Sequence, residues 1–436
     1  MLRNKLDGVT VNSVGTAVPS INAEKQLTRM VLASMLWEKN FYLDGKAHAD
    51  IVQALVAKVD PDRVSCLAMA ARDKFKLRHI PLLLTRELAR LGKLSSDTLA
   101  AVIQRPDEMG EFLSLYWSAG KTPVANQVKK GLAKAFVKFN EYQLAKHDKN
   151  SAAVSVRDVM FVAHPKPTSV EQEALFKRVA NQELVTPDTW ETQLSAGADK
   201  KETFTRLMSE KKLGALAFLR NLRNMVQAGV NEGDIRAYAL AVDASKVLPF
   251  RYIAAARIVP QFEDMLEAMM FRSLAGVEKL PGKTLLMVDV SGSMFGVPVS
   301  AKSDLDRFDA AAALAMLCKE KCDSVDIYSF SNSAVRVAPR SGFALRDAIY
   351  GSQHHGGTNL GASLAQVGTS QYDRVIVITD EQSYDRPKDP KVQHAYILNV
   401  GSYENGVNHE AWTTITGFSE AVFDYIVESE RMETIS

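Results

Sequence analysis

The sequence predicts two fold classes in one chain: stacked α-helices over residues 21–275 and a doubly wound α/β sheet over residues 281–436, behind an N-terminal segment, 1–20. Three observations predict this. In the first part apolar residues recur at helical spacing almost without interruption, as in Leu27-Val31-Met35 and Leu132-Phe136-Phe139, and β-branched alternation is scarce. After Leu280 the pattern switches to strand, loop and helix in alternation, which argues a mainly parallel sheet. A chain of 436 residues also exceeds what one hydrophobic core usually serves.

The helical part is punctuated by Asp60-Pro61, His79-Ile80-Pro81, Arg105-Pro106-Asp107, Lys121-Thr122-Pro123, Pro165-Lys166-Pro167, Thr186-Pro187-Asp188 and Leu248-Pro249. Proline just inside a helix start loses no intrahelical bond, so such sites mark helix beginnings. Helices of about 10 to 20 residues with short connections suggest stacked pairs of the HEAT type. In the second part the elements read as Thr284 to Val290, Phe308 to Lys319, Ser324 to Phe330, Gly361 to Val367, Arg374 to Thr379 and His394 to Val400.

The chemistry concentrates at the ends of two apolar strands. Asp289-Val290-Ser291-Gly292-Ser293 follows the run from Thr284 to Val288, and Asp380 follows Arg374 to Thr379. Open α/β sheets bind ligands at the carboxyl ends of their strands. A third loop, Gly356-Gly357-Thr358-Asn359, offers a threonine hydroxyl ahead of a helix-like segment. Hard divalent cations take oxygen ligands from convergent loops, so Asp289, Ser291, Ser293, Thr358 and Asp380 form the candidate metal site. Magnesium is the expected ion, with manganese or calcium as alternatives. His354 and His355 lie beside Gly356, but among hard oxygen donors they read as loop packing.

These five residues resemble, position for position, the metal-ion-dependent adhesion site of von Willebrand factor A domains. The resemblance implies that the serines and the threonine approach the ion closely, that the aspartates act largely through water, and that a partner's carboxylate can complete the shell. The helical part resembles the TROVE module of the Ro autoantigen and its bacterial relatives. The matching stretches are Trp37-Glu38 with Phe41-Tyr42, residues 76–84, Phe112 to Trp117, Val128 to Phe136, Phe139 to Lys146, Val156 to Val159 with His164 to Pro167, Trp190-Glu191, Ala215 to Arg223 and Leu248 to Arg251. The resemblance implies a ring of HEAT-like helical repeats closed or bridged by the A domain, and an RNA-binding ribonucleoprotein component. It further implies small noncoding Y-like RNA, single-stranded ends of misfolded RNA and an exoribonuclease as partners, with the protein a monomer in the complex.

Charge agrees with a polyanion partner. Residues 281–436 hold 13 Lys plus Arg against 20 Asp plus Glu, whereas residues 1–280 hold 40 against 31. Between Lys121 and Lys166 nine basic residues face three acidic ones. Lys129, Lys130, Lys134 and Lys138 fall at helical spacing, the last three on one face, and Tyr142, Lys146, His164 and Lys166 extend the candidate RNA surface. The competing reading is a solvated helix face.

Other functions find no motif. There is no Gly-x-Ser-x-Gly elbow, no Walker loop and no His-Glu-x-x-His signature. Two-metal hydrolysis needs a denser carboxylate cluster than Asp289 and Asp380 provide, so the chain reads as a binding protein and not an enzyme. An adhesion scaffold built on the metal loop alone remains the alternative. Cys66, Cys318 and Cys322 are too few for a disulfide framework, and the last two read as buried thiols. With no apolar run near the length of a membrane span and no visible secretion signal, the expected setting is the cytoplasm.

Overall fold

The computed structural model describes residues 5–6, 9–10, 23–33, 45–74, 77–148, 153–245, 247, 249–275, 278–298, 305–380, 383, 385, 387–388, 390–401, 412–416, 422–423, 426–427 and 430. Trp37-Glu38, Phe41-Tyr42, Met35, Lys76 and Leu248 of the sequence motifs lie outside them. The chain divides into two compact units, one of Ile21–Asp188 and one of Met1–Ser20 with Thr189–Ser436.

Ten helices are described in the first unit: α1 (Ala23–Ala33), α2 (Gly45–Val56), α3 (Pro61–Asp73), α4 (His79–Arg90), α5 (Ser96–Val102), α6 (Pro106–Tyr116), α7 (Asn126–Phe136), α8 (Glu141–His147), α9 (Val156–Ala163) and α10 (Val170–Asn181). Their starts follow from capping chemistry. Asp60 accepts from the backbone N–H of Asp62 and Arg63 ahead of Pro61, and Ser155 accepts from Asp158 N, whose carboxylate returns a bond to Ser155 N. Helices pack on near neighbours, α3 on α4, α5 on α7 and α6 on α9, burying Leu83, Leu88, Leu99, Phe112, Leu132 and Phe136. An ion pair ties three of them. Arg72 of α3 donates to Val102 O at the end of α5 and, at 2.7 Å, to Glu108 Oε1 of α6. Glu108 Oε2 meanwhile accepts from the backbone of Gln104 and Arg105.

The second unit opens with a two-stranded hairpin, β1 (Lys5–Leu6) and β2 (Val9–Thr10), in antiparallel register. Its helices are α11 (Trp190–Ser195), α12 (Lys200–Ser209), α13 (Ala215–Gln227), α14 (Glu232–Ala241), α15 (Pro249–Ile258) and α16 (Glu263–Leu274). They are followed by β3 (Leu280–Asp289), α17 (Arg307–Lys321), β4 (Cys322–Phe330), β5 (Ala334–Arg336), α18 (Gly342–Tyr350), α19 (Leu360–Val367), β6 (Arg374–Thr379), β7 (His394–Asn399) and β8 (Thr413–Thr416).

The six strands run in the order β5-β4-β3-β6-β7-β8, all parallel except β5, which pairs antiparallel with β4 at the edge. Leu285 to Val288 and all of β6 are buried, as expected of central strands covered on both faces. The chain leaves β3 toward β4 on one side and returns to β6 on the other. The topological switch therefore lies between β3 and β6, where Met287 pairs with Val377 and Val288 with Ile378.

The grouping of α11 to α16 with the sheet departs from a division between residues 275 and 281, and α17 supplies a physical reason. Ala310 to Cys318 are buried without interruption, so this helix is apolar all round and needs cover on its outer side. It packs on β3, β4 and β6, and on α15 and α18. Arg257 of α15 bonds Asp309 of α17 at 2.5 Å, and Glu267 of α16 accepts from Phe343 N of α18 at 2.7 Å. Among the described residues no helix is long and apolar enough to cross a membrane.

Replacing Glu108 by Ala should cost about 3 to 5 kcal/mol, because it strands the buried Arg72 guanidinium. Urea denaturation checks this. A loss no larger than that of an exposed ion pair would show that Arg72 finds another partner.

Candidate metal centre and basic helical face

Strand register brings the two aspartates to one edge. Asp289 ends β3 and Asp380 follows β6, both with no solvent exposure. The two strand ends are tied side chain to side chain, since Thr379 Oγ1 donates to Asp289 Oδ2 at 2.6 Å. The loop after β3 turns back on its own carboxylate: Ser291 N donates to Asp289 Oδ1 at 2.8 Å, and the Ser291 and Ser293 hydroxyls lie 3.2 Å apart.

The Gly356-Gly357-Thr358 loop is docked against this turn. Gly292 N donates to Gly356 O at 3.1 Å, while Ser331 and Asn332, just past β4, clamp the loop from below through Gly356 N, Gly357 N and Gly357 O. A Cβ on Gly356 would fall 2.5 Å from the Asn332 side-chain nitrogen, so a side chain here would push aside the amide that clamps the loop. Thr358 is buried, and its carbonyl accepts from Ser383. His355 packs as loop filler, its Nδ1 3.0 Å from Val290 O and its ring against Phe295 and Tyr350.

The donor set suits a hard divalent cation: hydroxyl and carboxylate oxygens from three loops, with two carboxylates and no softer ligand among them. One residue was not legible as part of it. Arg307, the first residue of α17 and itself buried, donates to Asp380 Oδ2 at 2.7 Å and to Ser293 O at 3.3 Å. Burial pushes the Asp289 carboxyl up to about 6, against the bonds from Ser291 and Thr379 that favour its charged form.

The candidate RNA residues all lie on the first unit, and the structure assigns them unequal roles. Lys134 donates to Asp97 at 2.7 Å and to Ser96. The Lys138 ammonium is tucked against the carbonyls of Ala100 and Ile103 at the end of α5, and desolvation there lowers its pKa. Lys134 fastens α7, and Lys138 the segment just after it, to α5, so the stripe is partly committed to the fold. Lys130 is exposed and Lys129 half-buried; among the described residues neither has an ion-pair partner. His164 caps α9 in the left-handed region, φ 50°, and Lys166 is exposed beyond it.

Aromatic residues add what charge counting missed. Tyr142 is exposed with the Lys146 ammonium 5.7 Å from its ring centroid, and Phe161, 52% exposed, carries the Arg157 guanidinium at 5.4 Å. Trp117 carries Lys121 at 5.6 Å. An exposed phenylalanine beside a cation is the signal that could have found Phe161 in the sequence, at the i, i+4 spacing of Arg157 and Phe161.

Residues 182–275 match the TROVE domain. No curated protein matches the sequence. Among solved structures, the Ro (RSR) protein of Deinococcus radiodurans aligns at 20% identity with a TM-score of 0.61, covering 86% of this chain and 92% of that one. An aerotolerance-related membrane protein from Bacteroides fragilis aligns at 16% identity over 34% of this chain and 86% of that one, with a TM-score of 0.22, too low to argue from. The TROVE match bears out the resemblance over residues 182–275, which hold Trp190-Glu191, Ala215 to Arg223 and Leu248 to Arg251, and the Ro structure shares the fold. The matched residues fall in the second unit apart from 182–188, which end the first, whereas the candidate RNA residues lie in the first.

The raised Asp289 pKa sets a direction for pH dependence. The fold favours the neutral acid, so this group's contribution to the stability of the ion-free protein is full below about 4 and is lost as pH rises through about 6. Cation uptake runs the opposite way, since a ligand must be deprotonated. Manganese affinity measured by calorimetry should therefore fall between pH 7.5 and 5.5, where an ordinary carboxylate would stay ionised. Equal affinity at both would mean that Asp289 is charged throughout.

Proposed function

We propose that this chain is the RNA-binding component of a ribonucleoprotein, and that its α/β part carries a divalent cation for a separate partner surface. The observation that carries the RNA reading is three separate ring–cation pairs, Trp117 with Lys121, Tyr142 with Lys146 and Phe161 with Arg157, within the basic first unit. Such pairs suit single-stranded nucleic acid, whose bases stack on rings while phosphates meet lysine and arginine. The TROVE match gives the reading its context.

In finer terms, the proposed ligands are a small noncoding Y-like RNA and single-stranded ends of misfolded RNA. The proposed setting is RNA quality control in the cytoplasm, with an exoribonuclease tethered through the RNA and the protein a monomer in the complex. Lys129, Lys130, Tyr142, Lys146, His164 and Lys166 are the proposed contacts. Lys134 and Lys138 contribute less, because their ammonium groups are held by α5. The Lys134–Asp97 pair is exposed and weak, so a phosphate can replace the carboxylate.

A second reading rests on the metal loop. Asp289, Ser291, Ser293, Thr358 and Asp380 would hold magnesium, or manganese or calcium in its place, and the ion would supply a positive charge for a partner's carboxylate. An adhesion scaffold would use this surface and leave the basic one idle. No nuclease activity is proposed for the chain, because two carboxylates among hydroxyls do not form the two-metal cluster that phosphodiester cleavage usually recruits.

Replacing Lys129, Lys130 and Lys146 together by Glu should weaken binding of all RNA sequences and flatten the salt dependence by about one unit of slope per lost phosphate contact. An unchanged slope would move the RNA elsewhere. Asp289→Ala should abolish divalent binding and leave RNA affinity nearly intact; loss of RNA binding by the folded variant would join the two sites. Highly purified protein incubated with labelled RNA and magnesium should leave the RNA whole. Cleavage that disappears in Asp289→Ala would make the metal loop catalytic.

A further inference from the structure

The metal loop contains a cation of its own. Arg307 reaches from the first turn of α17 to Asp380 Oδ2 at 2.7 Å and Ser293 O at 3.3 Å, and both residues belong to the proposed ligand set. A rigid element delivers it. Asp306 caps α17 in a reciprocal box with Asp309, and the helix is packed on β3, β4 and β6. The side chain is 4% exposed, so its bonds to the loop replace water and are not an incidental surface contact.

We propose that Arg307 is a built-in competitor for the divalent ion: its guanidinium holds Asp380 in the ion-free protein, and an ion can settle in the loop only as that pairing is given up. The inference rests on the metal reading of the loop. The loop brings together two buried carboxylates, Asp289 and Asp380, and the buried Arg307 guanidinium. Any ion bound between Ser293 and Asp380 lies within a few ångströms of that guanidinium, where a shielded site makes like charges repel strongly. A lysine or histidine could yield by losing its proton. Arginine cannot, so it must move or weaken the ion's hold. The consequence is a loop tuned to low affinity, in which a cation is taken up only at high concentration or when a ligand on the open side draws the charge balance back.

The opposing possibility is that Arg307 supports the site by orienting Asp380 for the ion, and the same experiment separates the two. Manganese binding is measured by calorimetry on the full chain for the wild type, Arg307→Met, Arg307→Lys and Asp289→Ala, with circular dichroism to confirm folding. Competition requires Arg307→Met to bind manganese about tenfold or more tightly than the wild type, because a fixed positive charge has left a poorly screened site. Arg307→Lys, whose ammonium can give up its proton as the ion enters, should fall between the wild type and Arg307→Met. Equal or weaker binding by Arg307→Met would overturn the proposal and make Arg307 a support. No binding by either protein would sink the metal reading itself, and binding that survives Asp289→Ala would place the ion elsewhere; either result overturns the competition as well.

A second readout does not depend on a variant folding. In the wild type the Arg307 Nε–Hε resonance should shift as magnesium is titrated to saturation. A resonance that stays in place while magnesium binds would mean that the guanidinium never yields.

Discussion

Parallel register between β3 and β6 is the constraint on which the candidate site depends. Because Val288 pairs with Ile378, the next residues of both strands emerge together at the switch point, and two carboxylates from positions far apart in the chain are buried side by side. Burial of that kind is costly without compensation. The structure supplies it locally through the Thr379 hydroxyl, the Ser291 amide and the Arg307 guanidinium. Each comes from a different element, so the same register that gathers the two carboxylates also fixes the helix and loops around them. The cost of ionising Asp289 shows in its raised pKa, and a divalent ion would remove that cost.

The first unit treats positive charge differently. There the buried cation, Arg72, is fully engaged by Glu108 and by backbone carbonyls, while Lys134 and Lys138 bind the flank and end of α5. Among the residues that face solvent are Lys130, Lys166 and the rings of Tyr142 and Phe161. A ring presents a stacking face whatever the base, and a neighbouring cation both steadies it and meets phosphate. Such a surface favours nucleic acid with unpaired bases over a rigid duplex, whose bases are already stacked.

Much of this was legible in the sequence where chemistry is local. Asp60-Pro61 and Arg105-Pro106 mark the starts of α3 and α6, and β6 runs from Arg374 to Thr379 as its apolar pattern dictates. Asp289 and Asp380 could be placed at one sheet edge because strand ends are legible, whereas Thr358 stood out only through the Gly-Gly-Thr-Asn loop ahead of α19. Short elements escaped: β5 has three residues and β8 four, too few for alternation to register. Helix α18 was missed as well, between Gly342 and Tyr350. Arg307 reads in sequence as an ordinary first-turn residue, and its bond to Asp380 spans 73 positions. The lysine stripe was legible as spacing but not as occupation, since Asp97 and the α5 carbonyls come from an earlier helix.

In the proposed function a helical surface serves RNA and a sheet edge serves a cation. Ultraviolet crosslinking of bound RNA followed by mass spectrometry of the crosslinked peptides, with and without manganese, tests that division most directly. Crosslinks on peptides spanning residues 117–166, unchanged by manganese, are the expected result. Crosslinks confined to the loops around Asp289, Thr358 and Asp380, and dependent on manganese, would contradict it.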